Sequence, residues 1–186
     1  MITAIVIPAD PNEPIRLEEI ERSDLAAYRR LVDGNIELVT LERPPASLYF
    51  NEEGKLVDLP LNPRATALLW VHNSAFRQRD SIMGDAFILG PPDRQSYDTT
   101  APEELVRLLL HTERYRVLVQ NEGDEQFYGQ LRTFDSWFEA YAQGITLATR
   151  RWSQVEEIQV VAEYRNDQER LIEEWLRIGL QNLWIA

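Results

Sequence analysis

The chain has 186 residues, 44% of them hydrophobic and 27% charged, with a formal net charge of −12 and no cysteine. That length and composition suit one large or two small globular domains with a self-sufficient core, and they exclude wholesale disorder. The missing thiols exclude disulfides, thiolate catalysis and cysteine-based zinc sites, and the acidic balance argues against direct nucleic-acid binding, which rests on Lys and Arg neutralising phosphates.

In chain order, "ITAIVI" (2–7) reads as a first strand, with no basic flank or cleavage site that would make it a signal peptide. The proline-rich loop "PADPNEP" follows, and Ser23 is the expected N-cap of the helix "DLAAYRRLV", stopped by Asp33-Gly34. "NIELVTL" and "ASLYF" read as strands, the second running into "NEEGK", where Asn51 and Gly54 suggest a hairpin turn through positive φ. Asn62-Pro63 is a helix start: asparagine caps, and proline gives up an amide that has no intrahelical partner. The helix "PRATALLWVH" and the buried strand "DAFILG" complete a β-α-β-β-α-β order.

"GPPDRQSYDTT" reads as a linker, and Thr100-Ala-Pro-Glu103 as a capping box opening a helix whose Leu105, Leu108 and Leu109 share one face. A hairpin comes next. "RYRVLVQ" alternates inward Tyr115, Val117 and Val119, "NEGDE" turns, and "QFYGQLRT" returns. Ser136 to Glu139 is a second capping box, Gly144 a helix stop, and "VEEIQVVAEY" a strand. Asn166 or Asp167 would cap a last amphipathic helix carrying Leu171, Ile172, Trp175 and Leu176. The fold class is α+β: mixed or mainly antiparallel sheets with helices packed on one face, in two small halves, residues 1–92 and 100–186, joined by 93–99. No run of apolar residues is long enough for a membrane span, so the expected location is the cytoplasm.

Motifs of catalysis are missing. His72 and His111 are the only histidines, each near a helix end where the dipole favours positive charge, and neither has a second ligand at metal spacing. No nucleophile elbow, phosphate loop or EF-hand loop occurs, so no catalytic residue, metal or cofactor is expected. Acidic pairs recur along the chain, and Glu122, Asp124 and Glu125 share one turn. They read as solvated faces, or more sharply as a surface that imitates DNA phosphates in a partner's basic groove. Trp137, Phe138 and Tyr141 fall at helical spacing, as a core face or as a docking surface.

"LYFNEEGKLVDLPLNPRATAL" followed by "DSIMGDAFILG" resembles the uncharacterised domain-of-unknown-function family 3846, over roughly Met1 to Gly90. That resemblance implies an accessory role of the kind carried by phages, plasmids and other mobile elements, with no reaction and no catalytic residues attached. The expected function is therefore non-catalytic: an acidic protein that binds a host or element-encoded protein, as an inhibitor of a defence or nucleic-acid-processing protein. Glu122, Asp124, Glu125, Trp137 and Tyr141 are the candidate partner-binding residues. Membrane and direct nucleic-acid contacts are not expected, and homodimerisation through the last helix is compatible. The alternative is a small-molecule binder or enzyme with a pocket near 51–66, using Lys55, Asn62, Arg64 and Thr66.

Overall fold

The computed structural model of the chain describes residues 1–151 and 153–164. Two antiparallel sheets carry the fold, which is α+β. The larger is built from β1 (Ile2–Ile7), β2 (Arg16–Ile20), β3 (Ile36–Glu42), β4 (Pro45–Asn51) and β5 (Ala86–Leu89) in the order β2-β1-β5-β4-β3. The smaller contains β6 (Tyr115–Asn121), β7 (Tyr128–Phe134) and β8 (Val155–Ala162) in the order β7-β6-β8. The helices are α1 (Leu25–Val32), α2 (Pro63–His72), α3 (Glu103–Val106, continued by a π-helical turn, Arg107–His111) and α4 (Trp137–Thr149).

Strands β1 and β5 are apolar at every position but Thr3 because both of their faces are covered. Ile5, Ile7, Ala86 and Ile88 face α2, whereas Ala4, Val6, Phe87 and Leu89 face α1. The helices thus flank both faces of the larger sheet, rather than the one face expected. Strand β2, "RLEEI", lies outside the sequence-derived order; its charges suit an edge strand that must not recruit another chain. In the smaller sheet the alternation of Tyr115, Val117 and Val119 holds, all three being buried beneath α4.

One apolar cluster joins both sheets. It runs from Ile5 and Leu48 through Leu68 and Leu69 of α2 and Leu105 of α3 to Tyr141, Val117 and Ile158. The segment 93–99 is folded back on the larger sheet. Gly90 N–H donates to the Thr99 carbonyl at 2.9 Å, and Ala101 N–H to that of Thr3 at 2.9 Å. Asp98 accepts from the Tyr28 and Tyr49 hydroxyls at 3.0 and 2.8 Å, closing the Tyr28–Tyr49–Phe87 aromatic cluster.

Several caps differ from expectation. Asp24, not Ser23, caps α1, accepting from Ala26 and Ala27, while Ser23 sits at φ 62°. The Thr100 hydroxyl accepts from Thr3 N–H and caps nothing; Pro102 precedes α3, and Ser136 makes no side-chain cap. Gly144 does not stop α4 but lies buried inside it, where a Cβ would come within 2.5 Å of Ile158 Cγ2. The glycine lets α4 approach β8. The expected final helix lies outside the described residues.

The stretch "NEEGK" is a run of turns leading toward α2, since the β3–β4 hairpin closes earlier, at the cis Arg43–Pro44 bond. Neither Asn51 nor Gly54 takes positive φ; Asp58 does, at 54°. Gly54 is needed for space, because a Cβ there would meet the Met83 carbonyl at 3.0 Å.

Candidate functional site

Each of the four ligand candidates near 51–66 is engaged in holding the scaffold. Asn62 is fully buried: its Oδ1 accepts from Ala65 N–H at 3.0 Å, capping α2, and its Nδ2 donates to the carbonyls of Ile7 (2.9 Å) and Gly84 (3.0 Å). Thr66 Oγ1 accepts from Ile82 N–H at 3.0 Å. Arg64 donates to the carbonyls of Pro8, Asp10 and Glu13, and burial lowers its pKa. Lys55 is ion-paired with Asp80. Asn62, Arg64 and Thr66 thus bond main-chain groups, with Arg64 Nε buried and unpartnered among the described residues, and Lys55 pairs with a carboxylate.

The partner-binding candidates divide. Glu122, Asp124 and Glu125 come together in the β6–β7 turn, where Glu122 and Glu125 are exposed. Asp124 is half-buried, its carboxylate accepting from Asn121 Nδ2 at 3.2 Å and its carbonyl from Gln120 Nε2 at 2.6 Å. Neither Glu122 nor Glu125 has a cationic partner among the described residues. Trp137 is half-buried against the core, stacked edge-on to Phe138 and Tyr141. Tyr141 is fully buried and offers a partner nothing. The helical stripe of aromatics is a core face, the reading that period alone could not separate from docking.

Sequence reasoning missed one concavity. A cleft of about 340 Å³ opens between the β3–β4 turn, the C-terminal end of α2, α3 and the outer edge of β8. His72 lies in its wall, half-buried, with Nε2 2.6 Å from the Tyr141 hydroxyl and Nδ1 against the Arg43 carbonyl. A carbonyl can only accept, so Nδ1 carries the proton and Nε2 accepts from the tyrosine. Burial disfavours the imidazolium and pulls the His72 pKa down to about 4, outweighing the carbonyl; burial pushes the Tyr141 phenol up. The pair is thus neutral at pH 7 and links α2 to α4.

Around it, Arg43 pairs with Glu157, and Arg77 donates from Nε to the Trp70 carbonyl and from Nη1 to that of Glu156, each at 3.2 Å. Glu42 and Glu104 are exposed at the rim without a cationic partner among the described residues. No sequence signal points to this cleft, since its residues come from four separated segments at no fixed spacing. Among the described residues no group of three or more His, Asp or Glu is placed to hold a metal ion, and no helix is long and apolar enough to cross a membrane.

Fold and site together define a two-sheet α+β protein with a charged cleft between its layers and an acidic hairpin at one end. The chain belongs to the family described as Domain of unknown function (DUF3846), whose model matches residues 2–115 of the 186. The match reaches past Gly90, crosses the 93–99 segment and ends on the first residue of β6. No curated protein and no solved structure matches the chain.

Proposed function

We propose that this is a non-catalytic binding protein whose acidic β6–β7 hairpin docks on a basic surface of another protein. One observation carries the reading: Glu122 and Glu125 are both exposed in one turn and make no salt bridge among the described residues. The strand that leaves the turn supports it. Among the described residues strand β7 is a sheet edge, and it carries two exposed apolar side chains, Leu131 fully and Tyr128 about half (48%) exposed. Carboxylates raise the encounter rate with a basic surface, and the aromatic and aliphatic side chains supply the desolvated contact that holds it.

A protein that handles nucleic acid presents such a basic groove. Coupled to the accessory character expected of the chain, the sharpest form is an inhibitor of a host defence or nucleic-acid-processing protein in the cytoplasm. Parallel affinity capture with the native chain and a Glu122→Arg/Glu125→Arg variant tests it, followed by calorimetry with the captured protein at low and high salt. The native chain should retain a basic partner that the variant loses, with affinity falling as salt rises. Equal capture by both, or affinity indifferent to salt, would refute the reading.

A further inference from the structure

The His72 cleft has one wall made of backbone. Glu157 to Val161, five consecutive residues of β8, line it. Their hydrogen-bonding direction follows from the ladder. Glu163 N–H donates to the Arg114 carbonyl at 2.8 Å, which makes Arg114 and Glu163 a hydrogen-bonded pair in the β6–β8 register. In an antiparallel ladder such pairs alternate with pairs whose main-chain groups point away from the partner strand. Glu157, Gln159 and Val161 therefore bond to β6, and Ile158 and Val160 aim their N–H and C=O outward.

The side chains of Ile158 and Val160 are buried on the face shared with Val117 and Val119, as directly opposed residues are in either kind of pair. One further observation agrees with the hydrogen-bonding assignment. Just before Ile158, the Glu156 carbonyl faces outward too, where Arg77 already satisfies it. Among the described residues β8 has no neighbour on that side, so two amides and two carbonyls line the cleft as an unfilled half-ladder. A free edge is ordinarily blunted by charge or covered. Here it is recessed behind the β3–β4 turn.

The charges of the rim select the occupant. Arg43 pairs with Glu157, and Arg77 donates from Nε and Nη1 to two main-chain carbonyls while its buried Nη2 has no partner among the described residues; Glu42 and Glu104, both exposed, make no salt bridge among the described residues. Below them the floor is apolar, with Val71, Leu105 and Leu108. We propose that the cleft binds an extended peptide as a fourth strand on β8, one that alternates a basic side chain toward Glu42 and Glu104 with an apolar side chain toward the floor. Strand addition of this kind draws affinity from main-chain hydrogen bonds and specificity from alternate side chains. The site is separate from the acidic hairpin and stands or falls independently of it.

The test titrates the whole chain with a fluorescent, capped pentapeptide of alternating valine and arginine, mapped by amide chemical shifts. Four controls accompany it: the same peptide with glutamate for arginine, a version N-methylated on the amides of one edge, the Glu122→Arg/Glu125→Arg variant, and the Glu42→Gln/Glu104→Gln variant, whose exposed substitutions leave the fold intact. Saturable binding is expected, with shifts centred on Ile158 and Val160. The glutamate peptide and the N-methylated peptide should each bind at least about tenfold more weakly. The double glutamine variant should lose about tenfold for the arginine peptide while melting at the native temperature, and Glu122→Arg/Glu125→Arg should change nothing. No saturation up to about 1 mM, equal affinity for both charge versions, or shifts centred away from β8 would overturn the proposal.

Discussion

Asn62 is the residue at which structural and ligand-binding roles diverge most sharply. Replacing it with alanine removes one acceptor and two donors from a site with no solvent access. The lost cap on α2 costs about 1 kcal/mol. The carbonyls of Ile7 and Gly84 each lose a donor, at about 1 kcal/mol or more apiece. The sum is a loss of about 3 kcal/mol, which at a urea slope of about 2 kcal/mol/M moves the midpoint down by roughly 1.5 M. Asn62→Asp keeps the cap acceptor but turns an oxygen on both carbonyls, so it should cost at least as much at pH 7. Burial and those carbonyls raise the new carboxyl's folded pKa, and a folded state that binds the extra proton gains stability as pH falls. The aspartate variant should therefore recover part of its loss between pH 7 and 5, whereas the alanine variant should not. Urea titrations at both pH values decide it. A loss below about 0.5 kcal/mol for Asn62→Ala with an unchanged slope would refute the junction and return the side chain to the ligand reading.

Two further outcomes rest on packing and protonation. His72 is held near a pKa of about 4 against an ordinary 6.5, so the unfolded chain takes its proton first as the solution is acidified. Stability should fall progressively from pH 6.5 to 4, by up to about 3 kcal/mol before allowance for the partial exposure of the ring. His72→Phe should flatten that arm of the pH–stability profile, read by chemical denaturation, and an unchanged slope would contradict the neutral Tyr141–His72 pair. In the middle of a helix Gly→Ala ordinarily stabilises by up to about 1 kcal/mol. Gly144→Ala should instead destabilise by about 1–3 kcal/mol, because the new methyl strikes Ile158. Combining it with Ile158→Ala should cost less than the two single losses added together, as a thermal-melt cycle would report.

Regular elements were legible where one local rule governed them. Asn62-Pro63 names its helix start, and the alternation at Tyr115, Val117 and Val119 names its strand and inward face. The central strands "ITAIVI" and "AFIL" were legible too, although their lack of alternation already said that both faces are covered. Strand β2 was not, because an edge strand dressed in Arg16, Glu18 and Glu19 imitates a loop. Thr100 and Ser136 fit a capping pattern, yet tertiary hydrogen bonding took the first hydroxyl to Thr3, and local geometry left the second unused. Gly144 carried two meanings, helix stop and close approach, which only the position of Ile158 separates. The cleft was least legible of all. Arg43, His72, Glu104 and Glu157 are neighbours only because α2 and β8 meet, and no spacing encodes that meeting.

The family match ends at Tyr115, but the packing of α2 does not. That helix turns Ala65, Leu68 and Leu69 into an apolar cluster extending to Tyr141 and Ile158, both outside the matched region. The shared unit is consequently a socket, with its large sheet and α1 self-sufficient on one side and the other side of α2 waiting for a plug. Here α4 and the smaller sheet are that plug. A relative that keeps the matched region but carries a different C-terminal half must bring its own apolar cover for α2, and the shape of that cover would redraw the wall on which the cleft depends.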